Sequence, residues 1–209
     1  MIDFNTEPYN DDFDENNKFY RILFRPSFAV QARELTQMQT ILQNQIKRHG
    51  DHIFKQGAMV IPGQSSIDTN SNYIKLQPIY AGAVIETYVN KLEGEVIVGE
   101  NGLTAEVIKV VNATGSDPAT LYVRYTNSAN DNVTQVFADA EKLTPQNATL
   151  SAYTVQAAAS EATGIGSTAT IERGVYYVNG HFVLVDRQVI ALDKYSNTPT
   201  YRIGLTVEE

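Results

Sequence analysis

Apolar residues recur at helical spacing in one long stretch of this chain and alternate like strand residues almost everywhere else. Across residues 28–49, FAVQARELTQMQTILQNQIKRH, they fall at Leu35, Met38, Ile41, Leu42 and Ile46. Steps of three and four gather these side chains on one side of an α-helix. Pro26 ahead of the stretch and Gly50 behind it supply start and stop signals, while Lys47 and Arg48 set positive charge where the helix dipole favours it. The stripe has two possible uses. It can cover a sheet of its own chain, or it can form a seam between copies. Leu35, Met38 and Leu42 step as a coiled-coil seam does, and Gln31 and Gln45 continue the register. A seam of about two to three heptads is too short to hold chains together alone, so a bundle of these helices needs help from the β-part.

Strand patterns surround this helix. Residues 18–25 (KFYRILFR) are dense in strand formers and end at a proline, and residues 52–61 return to strand character before the turn Pro62-Gly63. Residues 64–72 (QSSIDTNSN) read as a polar loop, and 73–80 and 83–89 as two strands. Shorter strands follow at 95–98, 104–111 and 120–126, divided by Gly and Asn turns. Leu121, Val123 and Tyr125 alternate with Tyr122, Arg124 and Thr126, as in a half-buried antiparallel strand. Residues 144–168, rich in Ala, Ser, Thr and Gly, read as loop and edge strand. Dense strand character resumes at 169, and Asn179-Gly180 between YYV and HFVLV is the strongest hairpin signal in the chain. Residues 193–200 read as a loop, and 201–207 as a further strand. A strand pattern still open at Val207 points to a longer natural chain or to a partner pairing there.

The expected fold is mainly β with one long N-terminal α-helix: a β-rich frame with an inserted small β-barrel or sandwich module. The expected parts are an extended acidic arm at 1–17, a frame built from 18–90 and 169–209, and an insertion at 91–168. The arm carries six carboxylates, with Phe4, Tyr9 and Phe13 as spaced anchors, and is expected to stay mobile or lie along a neighbour.

Composition removes several classes of function. No cysteine is present, which excludes disulfides, thiolate catalysis and Cys-based zinc sites. A formal charge of -8 disfavours non-specific nucleic-acid binding, and no apolar run reaches the length of a membrane span. Candidate chemistry is sparse. His49 and His52 flank the expected helix end, where imidazoles bond the last carbonyls, and with Asp51 they make only an incomplete metal site. His181 sits beside the hairpin turn. Asp68, Asn70 and Asn72 copy the first ligands of a calcium loop, but Tyr73 and Ile79 stand where such a loop needs glycine and glutamate. Gly164-Ile165-Gly166 lacks the third glycine and following helix of a phosphate cradle. Asp11 and Asp12 lie in the arm, a poor platform for a hydrolase. No catalytic, metal or cofactor site is expected. Tyr122, Tyr125 and Phe137 are the aromatics that would form a sugar-binding platform if the inserted module recognises carbohydrate or a host receptor.

The stretch from residue 9 to residue 63, with the words LFRP, QARELTQ and LQNQI, resembles the N-terminal segment of tailed-bacteriophage virion proteins associated with baseplates and tail fibres. Residues 175–205, with VNG and KYSNTP, are similar to the same family. The resemblance implies a non-enzymatic structural component at the tail tip or baseplate, made in the host cytoplasm and partnered by other tail proteins. Fibres and pins of this kind are commonly trimers. The expected homotrimer interface is Leu35, Met38, Ile41, Leu42, Gln45 and Ile46, and the arm anchors Phe4, Tyr9 and Phe13 would lie on a neighbour.

Overall fold

The computed structural model describes residues 5–208. After a 3-10 turn at Glu15–Asn17 come α1 (Ala32–Ile53), β1 (Ala58–Ile61), β2 (Ser65–Lys75), β3 (Ile79–Tyr80) and β4 (Ala83–Val84). The 3-10 turns Ile85–Thr87 and Val89–Leu92 lead to β5 (Val96–Gly99), β6 (Thr104–Val111), β7 (Thr120–Tyr125) and β8 (Lys142–Pro145). A 3-10 segment at Ala148–Tyr153 precedes β9 (Val155–Gln156), β10 (Thr163–Ile171), β11 (Gly174–Val178), β12 (His181–Val185) and β13 (Gln188–Asp193). The protein is mainly β with one long helix.

Two compact units share the chain, residues 1–63 with 172–186 and residues 64–171 with 187–209. The two interleave, since 64–171 separates the pieces of the first unit and 172–186 separates the pieces of the second. Residues 64–90, 169–171 and 187–208, expected in the frame, fall in the same unit as 91–168. The reason is hydrogen bonding: β2 pairs with both β10 and β7, and β13 pairs with β10.

In the first unit α1 accompanies a three-stranded sheet of order β1-β11-β12. The helix begins at Ala32 rather than 28. Its start is fixed by Glu34, whose carboxylate accepts the Gln31 backbone N–H at 3.0 Å. It also runs through Gly50, the expected stop, to Ile53. Gly50 is there for space: a Cβ would lie 2.6 Å from Tyr177 Cζ and 2.7 Å from its hydroxyl. Asn179 (φ 49°) and Gly180 (φ 91°) make the hairpin turn between β11 and β12. Residues 18–25, expected as a strand, join no ladder.

The second unit is an eight-stranded antiparallel sheet, β13-β10-β2-β7-β6-β5-β8-β9, curled into a half-barrel, with a β3-β4 ribbon. Ile74, Leu76, Ile85, Leu92, Ile97, Leu121, Leu143 and Phe137 fill its core. Two segments read as loops are strands here. Residues 65–70 point their polar side chains into solvent while the backbone pairs with β10, since ladder bonds need no apolar side chains. Residues 163–168 lie in a central strand, and their small side chains make room for rings. A Cβ at Gly164 would meet Tyr73 Cζ at 2.5 Å, and one at Gly166 would meet Tyr122 Cε1 at 3.0 Å. Residues 201–207 are exposed and in no strand.

Candidate assembly interface

Helix α1 has an inner side and an unpartnered side. Leu35 (48% exposed), Leu42 (56%), Ile46 (50%) and Ile53 (57%) remain half in water. Together with exposed Gln39 and His49 they step along the helix as 35-39-42-46-49-53. That alternation of fours and threes is the spacing of a coiled-coil seam. The expected interface residues divide. Leu35, Leu42, Gln45 and Ile46 are exposed, and Met38 is half-buried. Ile41, only 3% exposed, is withdrawn from any intermolecular face by its own chain. It lines a groove of about 320 Å³ with Phe13, Phe19, Tyr20 and Arg48. Burying the exposed halves of four aliphatic side chains gains on the order of 3–6 kcal/mol per copy. Association costs roughly 4–15 kcal/mol in lost freedom, so this stripe needs further contacts beside it.

Residues 11–15 of the acidic arm lie on their own helix instead of reaching outward. Asp11 accepts a hydrogen bond from the Thr40 hydroxyl, and Asp12 accepts one from Gln37 Nε2 at 3.0 Å. Glu15 accepts from Asn44 Nδ2 at 3.2 Å and pairs with Arg48. The polar side of α1 offers donors at positions 37, 40, 44 and 48, one helical face, and this ties the carboxylates down. Phe13 is half-buried in the groove, Tyr9 is half-exposed, and Phe4 lies outside the described residues.

Tyr177 fixes the helix to the sheet. Its hydroxyl lies 2.9 Å from Lys47 O and 2.8 Å from Asp51 Oδ1 and donates between them, while its ring contacts Phe54 and Phe182. Burial first, then the Asp51 hydrogen bond and charge, push this phenol up to about 12.

His49, His52 and His181 are exposed, and no group of three metal-ligating side chains comes together among the described residues. Asp68 accepts from Asn70 N within β2. Tyr122 and Phe137 are buried and Tyr125 packs against the same core, so these rings form no exposed platform. Tyr125 is pushed up to about 12 by burial, against the opposing hydrogen bond from Phe137 N. No described helix is long and apolar enough to cross a membrane. What sequence reasoning missed is the true line of the stripe. Gln39 and His49 occupy seam positions, and exposed Ile53 lies beyond the expected stop at Gly50.

No curated protein and no solved structure matches the chain. A family profile matches residues 7–114, from the arm through α1 to just past β6. That match covers just over half of the chain, which therefore belongs to the family described as Domain of unknown function (DUF4815).

Proposed function

We propose that this chain is a virion structural protein of a tailed phage, attaching a tail fibre or forming part of the baseplate, and that it assembles as a homotrimer. The observation that carries the assembly part is the exposed heptad-spaced stripe of α1, with Leu35, Leu42, Ile46 and Ile53 open to water. The tail assignment rests on the resemblance of residues 9–63 and 175–205 to virion proteins of baseplates and tail fibres. The role proposed is mechanical rather than catalytic, and the site is tail tip or baseplate. Carbohydrate or host-receptor binding by the inserted module is the second reading. Burial of Tyr122 and Phe137 removes the aromatic platform that would have favoured it.

Two experiments test the proposal. Leu42→Glu and Leu35→Glu each place an unpaired carboxylate in the seam and should dissolve the oligomer in sedimentation. Retention of the native mass by both variants would refute the seam. Antibody raised against the chain should label the tail end of phage particles in negative-stain micrographs. Labelling confined to heads, or none on intact particles, would refute the virion assignment.

A further inference from the structure

In the first unit, one stretch of strand-forming sequence has no partner strand and one sheet edge has no cover. Residues 19–24 (FYRILF) belong to no ladder, and they hold large apolar side chains in water, with Tyr20 80% and Leu23 81% exposed. Strand β12 is the last strand of its sheet, and its outer main-chain groups face no other strand among the described residues. Phe182, Val183 and Leu184 are all exposed. Edge strands in soluble proteins are guarded by bulges, prolines or charges. The opposite edge, β1, follows this rule with a bulge between Met59 and Ile61 and with Pro62 behind it. Strand β12 has neither: its pairing with β11 is regular over all five residues, and its sequence, HFVLV, has no proline and no acidic or lysine side chain.

We propose that residues 19–24 of one copy add as a strand to the β12 edge of a second copy of this chain. The match is specific in pattern. Alternate side chains of a strand point to opposite faces, so β12 presents Phe182 and Leu184 on one face and Val183 and Val185 on the other. A strand added there must be apolar on both faces. Residues 19–24 meet that condition, with Tyr20, Ile22 and Phe24 on one side and Phe19 and Leu23 flanking Arg21 on the other. Residues 201–207 do not, because their apolar side chains sit only at Tyr201, Ile203, Leu205 and Val207 and leave the other face polar. The six residues 19–24 span the five of β12, and an antiparallel addition sets Lys18 beside Asp186. A donor on one copy and an acceptor on the next is a heterologous contact, which makes a ring when the rotation between copies closes. It supplies the help that the short α1 seam needs. The inference rests on the self-assembly read above, and the donated strand is tethered to that seam through residues 25–31.

The absence of cysteine allows a direct test on the full chain. Arg21→Cys and Val183→Cys, directly opposite each other when Lys18 sits beside Asp186, are made separately, mixed, dissociated and reassembled together, then oxidised. A disulfide-linked pair containing one chain of each kind is expected, with either variant alone giving much less. Oligomers of native mass that yield no mixed pair would overturn the strand addition and leave the seam standing. A chain that is monomeric at every concentration would overturn both. A double variant that forms only an intrachain disulfide would overturn exchange in favour of docking on the chain's own sheet. Ile22→Pro supplies a second readout, because residue 22 lies opposite Phe182, whose main-chain groups face outward, and proline there removes one ladder N–H from a segment outside any helix or strand. Association weaker by about tenfold is expected, the worth of one hydrogen bond. An unchanged dissociation constant would overturn the ladder.

Discussion

Replacing Gly50 by alanine separates two accounts of the same helix. In an exposed helix interior this change stabilises by about 1 kcal/mol, because alanine is the better helix former. Here the added methyl would sit 2.6 Å from Tyr177 Cζ and 2.7 Å from its hydroxyl, well inside contact distance. The ring is held from behind by Phe54 and Phe182, with centroids 5.6 and 5.4 Å away, so it cannot swing aside freely. Overpacking costs about 1–3 kcal/mol. Displacing the hydroxyl from Lys47 O and Asp51 costs about 0.5–1.5 kcal/mol per hydrogen bond. Set against the propensity gain, the expected balance is a loss of about 2 kcal/mol, or roughly 8–16 °C in melting temperature for a unit of this size. Circular dichroism at 222 nm follows the change selectively, since α1 is the one long helix among the described residues. A midpoint for Gly50→Ala equal to or above that of the parent chain would refute the Tyr177 clamp.

Tyr177 also predicts an alkaline limit. Its folded value of about 12 lies above the ordinary 10, so the fold favours the neutral phenol. That contribution is whole below pH 10 and is lost as pH rises through about 12. Tyr177→Phe should flatten the fall in helix signal across this window; an identical profile would contradict the assignment. In the second unit, Phe137→Ala opens a cavity beside Tyr125 and should cost about 3–5 kcal/mol in urea unfolding, whereas an exposed sugar platform at this residue would predict almost none. Asp131 is held below the usual carboxylate range by hydrogen bonds from the Thr134 hydroxyl and from Thr134 and Val133 N. The 131–134 turn should therefore loosen only once pH falls through that lowered value, read as faster amide exchange at Val133 and Thr134.

Local rules carried the sequence reading where local chemistry decides. Asn179-Gly180 fixes a hairpin wherever it sits between strands, and the three-four spacing of Leu35, Leu42 and Ile46 holds for any helix. The reading failed where a distant ring or strand decides. Gly50 has the look of a stop until Tyr177, far along the chain, fills the space above it. Residues 65–70 look like a loop because their side chains are polar, yet β10 pairs with their backbone. Gly164 and Gly166 look like linker residues until Tyr73 and Tyr122 press against them. At the candidate interface, periodicity placed Ile41 on the stripe with Leu42. Only the arm and the groove, folded back on the helix, turn Ile41 inward and leave Leu35, Leu42, Ile46 and Ile53 outside. A helical pattern defines which residues share a face; what covers that face depends on the rest of the chain.

The central claim is that copies of this chain assemble through the open side of α1. Sedimentation equilibrium of the purified chain over a wide concentration range tests it most directly. The account predicts a species of three times the 23.2 kDa chain mass, which Leu42→Glu returns to a single chain without loss of helix signal. A mass of 23.2 kDa at every concentration would contradict it.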